Sequence, residues 1–274
     1  MFEGIPIAAT LILIALSFNL ILMVNLIKAQ KKLITQQHDF QAEVKKSFQA
    51  STQLFNAELK RVNEVSVAQI ESLFSIFSTL KPQFPLPTSR GWAASPDLLK
   101  EIISLTHRQK PQLVVEASSG VSTLIIAYCL QRLGTGKLIS LEHEEKFAQL
   151  TQNNLSLHGL DDVATVIYAP LVEVEINGAK WLWYDLTKVE IPGAIDLLIV
   201  DGPPGTTQKL ARYPALPMLH KKLSKDAMVL LDDGARSDEA KIVEQWMEEL
   251  KMSHAEYLPL EKGAYLIQTN PKVF

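Results

Sequence analysis

The chain has little cysteine, no histidine cluster and almost no charge imbalance, and each shortage excludes a class of function. Its 274 residues contain one cysteine, Cys129. A single thiol rules out an internal disulfide framework and suits a reducing compartment. Cys129 lies in an apolar stretch with Leu124, Ile125, Ile126, Ala127 and Leu130, where a thiol packs as a small hydrophobe. The six histidines do not fall into metal-ligand spacing with each other or with Cys129, so a Cys/His zinc site is not expected. A net charge of -3 and a pI near 6.1 make no electrostatic case for nucleic-acid binding. There is no internal repeat, no low-complexity tract and no G-x-G-x-x-G. The length allows one ordinary domain plus accessories.

What the chain does have begins near its first residue. Ile5 to Ile27 carries no formal charge and is mostly Ile, Leu, Ala, Val, Met and Phe. As a helix it would extend roughly 34 Å, enough to cross a bilayer core. Thr10, Ser17, Asn19 and Asn25 are mild interruptions. A cleavable signal peptide would want a basic start, a shorter apolar core and a small-x-small site; Met-Phe-Glu-Gly and the long core favour an uncleaved anchor. Lys28, Lys31 and Lys32 follow at once, so the rest of the chain is expected on the cytoplasmic side of a single-pass span.

Residues 29–81 read as a helical stalk, free of proline and glycine, with apolar residues at helical intervals from Leu33 to Phe77. Phe48, Phe55 and Val62 keep a seven-residue step that Gln69 breaks, so a coiled coil and a homo-oligomer through the stalk are weaker expectations than a simple spacer. Four prolines within residues 81–96 mark a linker. Ser95-Pro96 then suggests an N-cap with proline at the first helical position.

Beyond the linker, short apolar strands alternate with helices. Strands are expected at Gln112–Glu116, Lys137–Glu142, Ala164–Tyr168, Ile195–Val200, Ala227–Leu231, His254–Leu258 and Ala264–Gln268. Helices are expected at Val121–Arg132, Glu144–Leu157, Leu210–Leu223 and Ser237–Leu250. This pattern predicts an α/β domain with a doubly wound, mostly parallel seven-stranded sheet over residues 82–274. In such sheets ligands sit beyond the carboxyl ends of the strands. Those ends carry Glu116 with Ser118, Ser119 and Gly120; Glu142 with His143; Asp201; and Asp232 with Asp233. Glu142 is placed to accept hydrogen bonds from a ribose diol. Without a pyrophosphate cradle, and with Glu116 adding negative charge, a cationic ligand with an amino group and a ribose suits the turn better than a dinucleotide.

The stretches "VVEASSGVSTLIIA", "LISLEHEEKFAQLTQNNL", "IDLLIVDGPPG" and "RYPALPMLHKKLSKDAMVLLDDGAR" together resemble class I S-adenosylmethionine-dependent methyltransferases. They are most similar to the small O-methyltransferase-like branch, over about Gly91 to Gln268. The resemblance implies a Rossmann-like methyltransferase fold with S-adenosylmethionine as cofactor. Glu116, Ser118, Ser119 and Gly120 would line its methionine end, Glu142 would hold the ribose hydroxyls and His143 would lie near the adenine. One departure matters: the family turn usually has Gly where Ser118 stands.

Metal-dependent members of the wider group hold Mg²⁺ with acids matching Asp201, Asp232 and Asp233, an oxygen set suited to that ion. Without a metal, Asp201 is the expected base for an alcohol or phenol acceptor. Lys209, Arg212 and Tyr213 follow on the same edge and read more readily as solvated helix positions than as acceptor contacts. Trp92, Trp181, Trp183 and Tyr184 read as packing before lid. The resulting expectation is a membrane-anchored, cytoplasm-facing methyltransferase acting on a small-molecule oxygen. The alternatives are a non-catalytic membrane-tethered scaffold with a degenerate methyltransferase fold and, less favoured, a nucleotide-dependent oxidoreductase.

Overall fold

The computed structural model describes residues 7–89, 91–252 and 254–269; Ile5 and Pro6, the start of the expected span, lie outside them. Two compact units divide between Glu64 and Val65. The first contains most of a long helix, α1 (Ile7–Leu80). Among the described residues α1 is the one helix long and apolar enough to cross a membrane. Its Leu11, Ile12, Leu13, Ile14 and Leu16 are 60–61 % exposed.

In the second unit the end of α1 is part of the core. Ile76 and Leu80 are fully buried. Gln69, which broke the seven-residue step, is buried and accepts a hydrogen bond from the Asp97 N–H at 3.1 Å. Asp97 lies in the first turn of α2 (Pro96–Gln109), where backbone N–H groups have no partner within the helix. The expected domain start at residue 82 therefore falls inside a packed unit that begins at Val65.

Then follow β1 (Leu113–Ala117), α3 (Val121–Leu133), β2 (Lys137–Glu142), α4 (Glu145–Leu157) and β3 (Ala164–Tyr168). A hairpin, β4 (Leu171–Ile176) and β5 (Ala179–Tyr184), precedes β6 (Ile195–Val200), α5 (Ala215–Leu219), β7 (Leu223–Asp232), α6 (Ser237–Glu249), β8 (His254–Leu258) and β9 (Ala264–Gln268). The seven-stranded sheet has the order β3-β2-β1-β6-β7-β9-β8. Its first five strands are parallel, and β9 runs antiparallel to both β7 and β8. This is the expected mostly parallel sheet.

Period-2 alternation divides the core between the two faces. Val114, Leu138, Leu197, Ile199 and Leu230 pack with α2 and α3 on one side. Val115, Leu141, Leu198, Val200 and Leu231 pack with α6 and the hairpin on the other. Cys129 is fully buried, and burial pushes its thiol pKa up to about 12.

Two elements differ from expectation. The helix expected at Leu210–Leu223 shortens to α5 plus a single 3₁₀ turn, His220–Lys222. Leu210 takes a left-handed φ of 53° and Pro214 has no N–H for a helix interior. The β4–β5 hairpin was not expected at all. Asn177 and Gly178, both at positive φ, form its turn.

A chain truncated before Lys81 loses the Ile76 and Leu80 side chains, each worth about 1.5–3 kcal/mol when buried. Thermal denaturation should show it less stable than one truncated before Val65, and equal stability would return the boundary to the linker.

Candidate functional site

The four central parallel strands end side by side. Beyond their regular pairing the ladder continues: Ser118 N–H donates to the Leu141 carbonyl at 2.9 Å and Asp201 N–H to the Ala117 carbonyl at 3.0 Å. These bonds hold the turn after β1 between the tips of β2 and β6.

Ser118 has a φ of 104°, a region that L residues avoid and glycine occupies freely. The side chain that stands where the family usually has Gly therefore stores strain, about 1–3 kcal/mol for such an outlier. Gly120, the next turn residue but one, opens α3. A Cβ built there would meet no described atom within 4 Å, so the backbone faces open space that a ligand can enter. Its N–H donates to Thr123 Oγ1 at 2.9 Å, and that hydroxyl donates to Glu116 Oε2 at 2.6 Å.

Glu116 is 1 % exposed. Its Oε2 also accepts from Ser140 Oγ at 2.8 Å, while Oε1 has no hydrogen-bond partner among the described residues. Burial pushes its pKa up to about 7, against the hydroxyls of Ser122, Thr123 and Ser140. A buried carboxyl with an orphaned oxygen is ready for a cationic or hydrogen-bond-donating group.

Glu142 bridges the two turns. Its Oε2 accepts from both the Ser119 N–H at 3.1 Å and Ser119 Oγ at 3.0 Å, and its Oε1 from the Glu144 N–H at 3.0 Å. His143 Nδ1 stands 3.0 Å from Oε1 as an ion-pair partner. Burial works to raise the Glu142 pKa, but His143, the Glu144 N–H and Ser119 outweigh it and hold the carboxyl below its usual range. The Glu142 carboxylate raises the His143 pKa in turn. The His143 ring meets Tyr184 edge-on with centroids 6.1 Å apart.

Tyr184 and Trp183, at the end of β5, are fully buried, and the Tyr184 hydroxyl has no partner among the described residues. It lies so close to Gly202 that a Cβ there would stand 2.5 Å from it. Both pack, as the sequence suggests, but the hairpin, which is not among the expected strands, also brings Tyr184 beside the Ser118 turn. The signal was available in Asn-Gly flanked by alternating residues. Trp181 lies against Tyr213, ring centroids 4.6 Å apart, and Trp92 is 78 % exposed.

Asp201, Asp232 and Asp233 converge at the tips of β6 and β7, with one carboxylate oxygen of each within 4.8 Å of the others. Among them lies Arg212, 3 % exposed rather than solvated as expected. Its Nη2 donates to Asp233 Oδ2 at 2.6 Å, Asp201 Oδ1 at 3.1 Å and the Asp201 carbonyl at 3.0 Å, and its Nη1 to the Asp232 carbonyl at 2.8 Å. Burial first, and then the neighbouring carboxylates, push Asp201 well above the usual carboxylate range; Asp232 is raised for the same two reasons. Three carboxylates make a chemically suitable donor set for Mg²⁺. With the guanidinium bonded to two of them, the cluster as it stands does not fit a resident metal.

Residues 117–234 match a family model described as a methyltransferase domain. No curated protein matches the sequence. Among solved structures, the chain is similar to an S-adenosylhomocysteine-bound methyltransferase, PaMTH1 of Podospora anserina. The likeness has a TM-score of 0.57 at 16 % identity and covers 77 % of this chain and 96 % of that one. It is also similar to the O-methyltransferase TomG of Streptomyces achromogenes in complex with S-adenosylmethionine (TM-score 0.49, 15 % identity, 66 % and 82 % covered). A third is an O-methyltransferase of Bacillus cereus in complex with S-adenosylhomocysteine (TM-score 0.48, 17 % identity, 74 % and 90 % covered). The fold is that of the class I methyltransferases.

The Glu116 pKa has a consequence for stability. Its folded value, about 7, lies above an unfolded value near the ordinary ~4.3 for a glutamate. The folded state thus keeps a proton that the unfolded state has lost, and stability falls as pH rises from the unfolded value to about 7, by up to roughly 4 kcal/mol, then levels. Chemical denaturation of Glu116→Gln should show a flatter profile over that window and a variant more stable than wild type at pH 8. Parallel profiles would place the proton elsewhere.

Proposed function

We propose that this chain, an S-adenosylmethionine-dependent methyltransferase by its domain and fold, is a membrane-anchored enzyme that methylates an oxygen of a small-molecule acceptor. The observation that carries the cofactor assignment is the open backbone at Gly120 flanked by two buried carboxylates, Glu116 and Glu142. Glu116 Oε1, without a partner among the described residues, would receive the cofactor's ammonium. Glu142 would receive the ribose hydroxyls. Its oxygens are already engaged, but Ser119 Oγ has a second partner in Thr151 Oγ1 at 3.1 Å and can yield its place. His143, beside Glu142 and against Tyr184, would border the adenine. When bound, S-adenosylmethionine supplies a methyl group on a sulfonium, a leaving group that needs no protonation.

The chain's own task is then orientation and removal of one proton. Asp201 stands at the tip of β6 beside the Ser118 turn, and its raised pKa makes it a stronger base than an ordinary carboxylate once ionised. The guanidinium of Arg212 at 3.1 Å favours that ionised form. Asp201 would take the proton of the acceptor hydroxyl, and the buried hairpin residues Trp183 and Tyr184 would keep water from the site. The missing G-x-G-x-x-G and the negative charge of Glu116 count against a dinucleotide in the same turn.

Removal of Asp201 and of Glu142 should affect different steps. Asp201→Asn should keep cofactor binding and lose about 10²–10⁴ of the transfer rate, the range for loss of a general base. Glu142→Ala should weaken cofactor binding by about 1–3 kcal/mol, roughly five- to a hundred-fold. Calorimetry and a methyl-transfer assay on the same preparations separate the two. Full activity in Asp201→Asn, or unchanged affinity in folded Glu142→Ala, overturns the corresponding role.

The anchor rests on the apolar first part of α1 and on Lys28, Lys31 and Lys32 after it. Full-length protein should stay with membranes through a carbonate wash, with the methyltransferase domain digested only when protease reaches the cytoplasmic face. Release by carbonate, or protection of the domain in cytoplasm-out vesicles, contradicts it.

A further inference from the structure

The cluster at the tips of β6 and β7 has the donors of a divalent-metal site and a cation of its own. Two oxygens that a shared ion would need, Asp201 Oδ1 and Asp233 Oδ2, converge instead on one nitrogen, Arg212 Nη2, at 3.1 and 2.6 Å. A second guanidinium reaches the same place: Arg236 Nη1 is 2.9 Å from Asp233 Oδ2. An ion seated between these carboxylates would share them with two positive groups at contact distance.

Arg212 is built in. Besides the carboxylates it bonds the main-chain carbonyls of Asp201, just past the end of β6, and of Asp232, the last residue of β7. Its backbone is held on both sides. Leu210 N–H donates to Asp238 Oδ2 at 3.1 Å, and the Tyr213 carbonyl accepts from the buried Trp246 Nε1 at 2.8 Å. The Tyr213 hydroxyl is tied in turn to Glu249. A guanidinium keeps its charge at any working pH, and its planar fork can serve several acceptors at once.

We propose that Arg212 is the resident cation of this acidic edge, that it excludes a divalent metal, and that methyl transfer by this chain needs none. The last clause rests on the methyltransferase reading; the first two do not. A metal would offer open coordination positions to the acceptor. Arg212 offers bonds to Asp201 and Asp233 and so acts as a positioning residue for the strand tips.

Mn²⁺ titrated into the full-length chain in detergent, with free Mn²⁺ followed by electron paramagnetic resonance, tests this without reference to activity. Wild type and Asp233→Asn should take up the same Mn²⁺, with no equivalent assignable to the cluster. Arg212→Ala should gain one bound equivalent, lost again in Arg212→Ala/Asp233→Asn. Uptake of one equivalent by wild type that Asp233→Asn abolishes overturns the proposal, as does a folded Arg212→Ala that gains nothing. If Arg212→Ala does not fold, the comparison of wild type with Asp233→Asn decides alone. In the transfer assay chelator should leave the wild-type rate unchanged, and a rate lost to chelator and restored by Mg²⁺ overturns the metal-free step. No transfer under either condition counts against the methyltransferase reading and leaves the Mn²⁺ result standing.

Discussion

Four carboxylates, Asp201, Asp232, Asp233 and Glu239, stand around one buried guanidinium at the carboxyl edge of the sheet. Burial would lower the Arg212 pKa, and the surrounding carboxylates more than restore it. The arrangement is mutually dependent: each acid would repel the next without Arg212, and Arg212 would be an unpaired buried charge without them. It also fixes geometry, because the same guanidinium bonds the main chain at the ends of β6 and β7. The register of the two central strands, the position of Asp201 and the left-handed Asp233 (φ 57°) therefore share one set of contacts.

The neighbouring turn is organised differently. Around Glu116 the described residues supply hydroxyls, from Ser122, Thr123 and Ser140, and the carboxyl's pKa is raised by burial. At Glu142, about one strand away, His143 and main-chain N–H groups lower it. Two acids on adjacent strands are thus pushed in opposite directions by their surroundings. That contrast suits a ligand with a cation at one end and neutral hydroxyls at the other. The strain at Ser118 lies between the two, against Gly202, where an added Cβ would stand 3.0 Å from that of Ser118.

Much of this was legible in the residues. Unbroken apolar runs ending in acids identify buried parallel strands, because both faces of such a strand are covered by helices and the first polar residue marks the exit from the core. The same logic placed Glu116, Glu142, Asp201 and Asp232 on one edge. The hairpin was less legible, since its strands are half-exposed and carry charged residues, although Asn177-Gly178 carried the turn signal. The unit boundary was hidden because a helix packs its last turns into a core without any change in its local pattern.

The sequence by itself determined the alternation of strands and helices, the apolar first helix and the row of acids, all of which follow from local periodicity and the order of elements. Only the tertiary structure decided the state of Arg212. An arginine after a proline-rich loop carries no local sign of burial, and a helical reading of Leu210–Leu223 would leave it in solvent. The turn that replaces the first part of that helix brings the guanidinium into contact with residues at the ends of β6 and β7 and in α6, separated from it by up to 27 positions in the chain. Charge compensation across such distances depends on which strands are neighbours, and that is a property of the folded sheet.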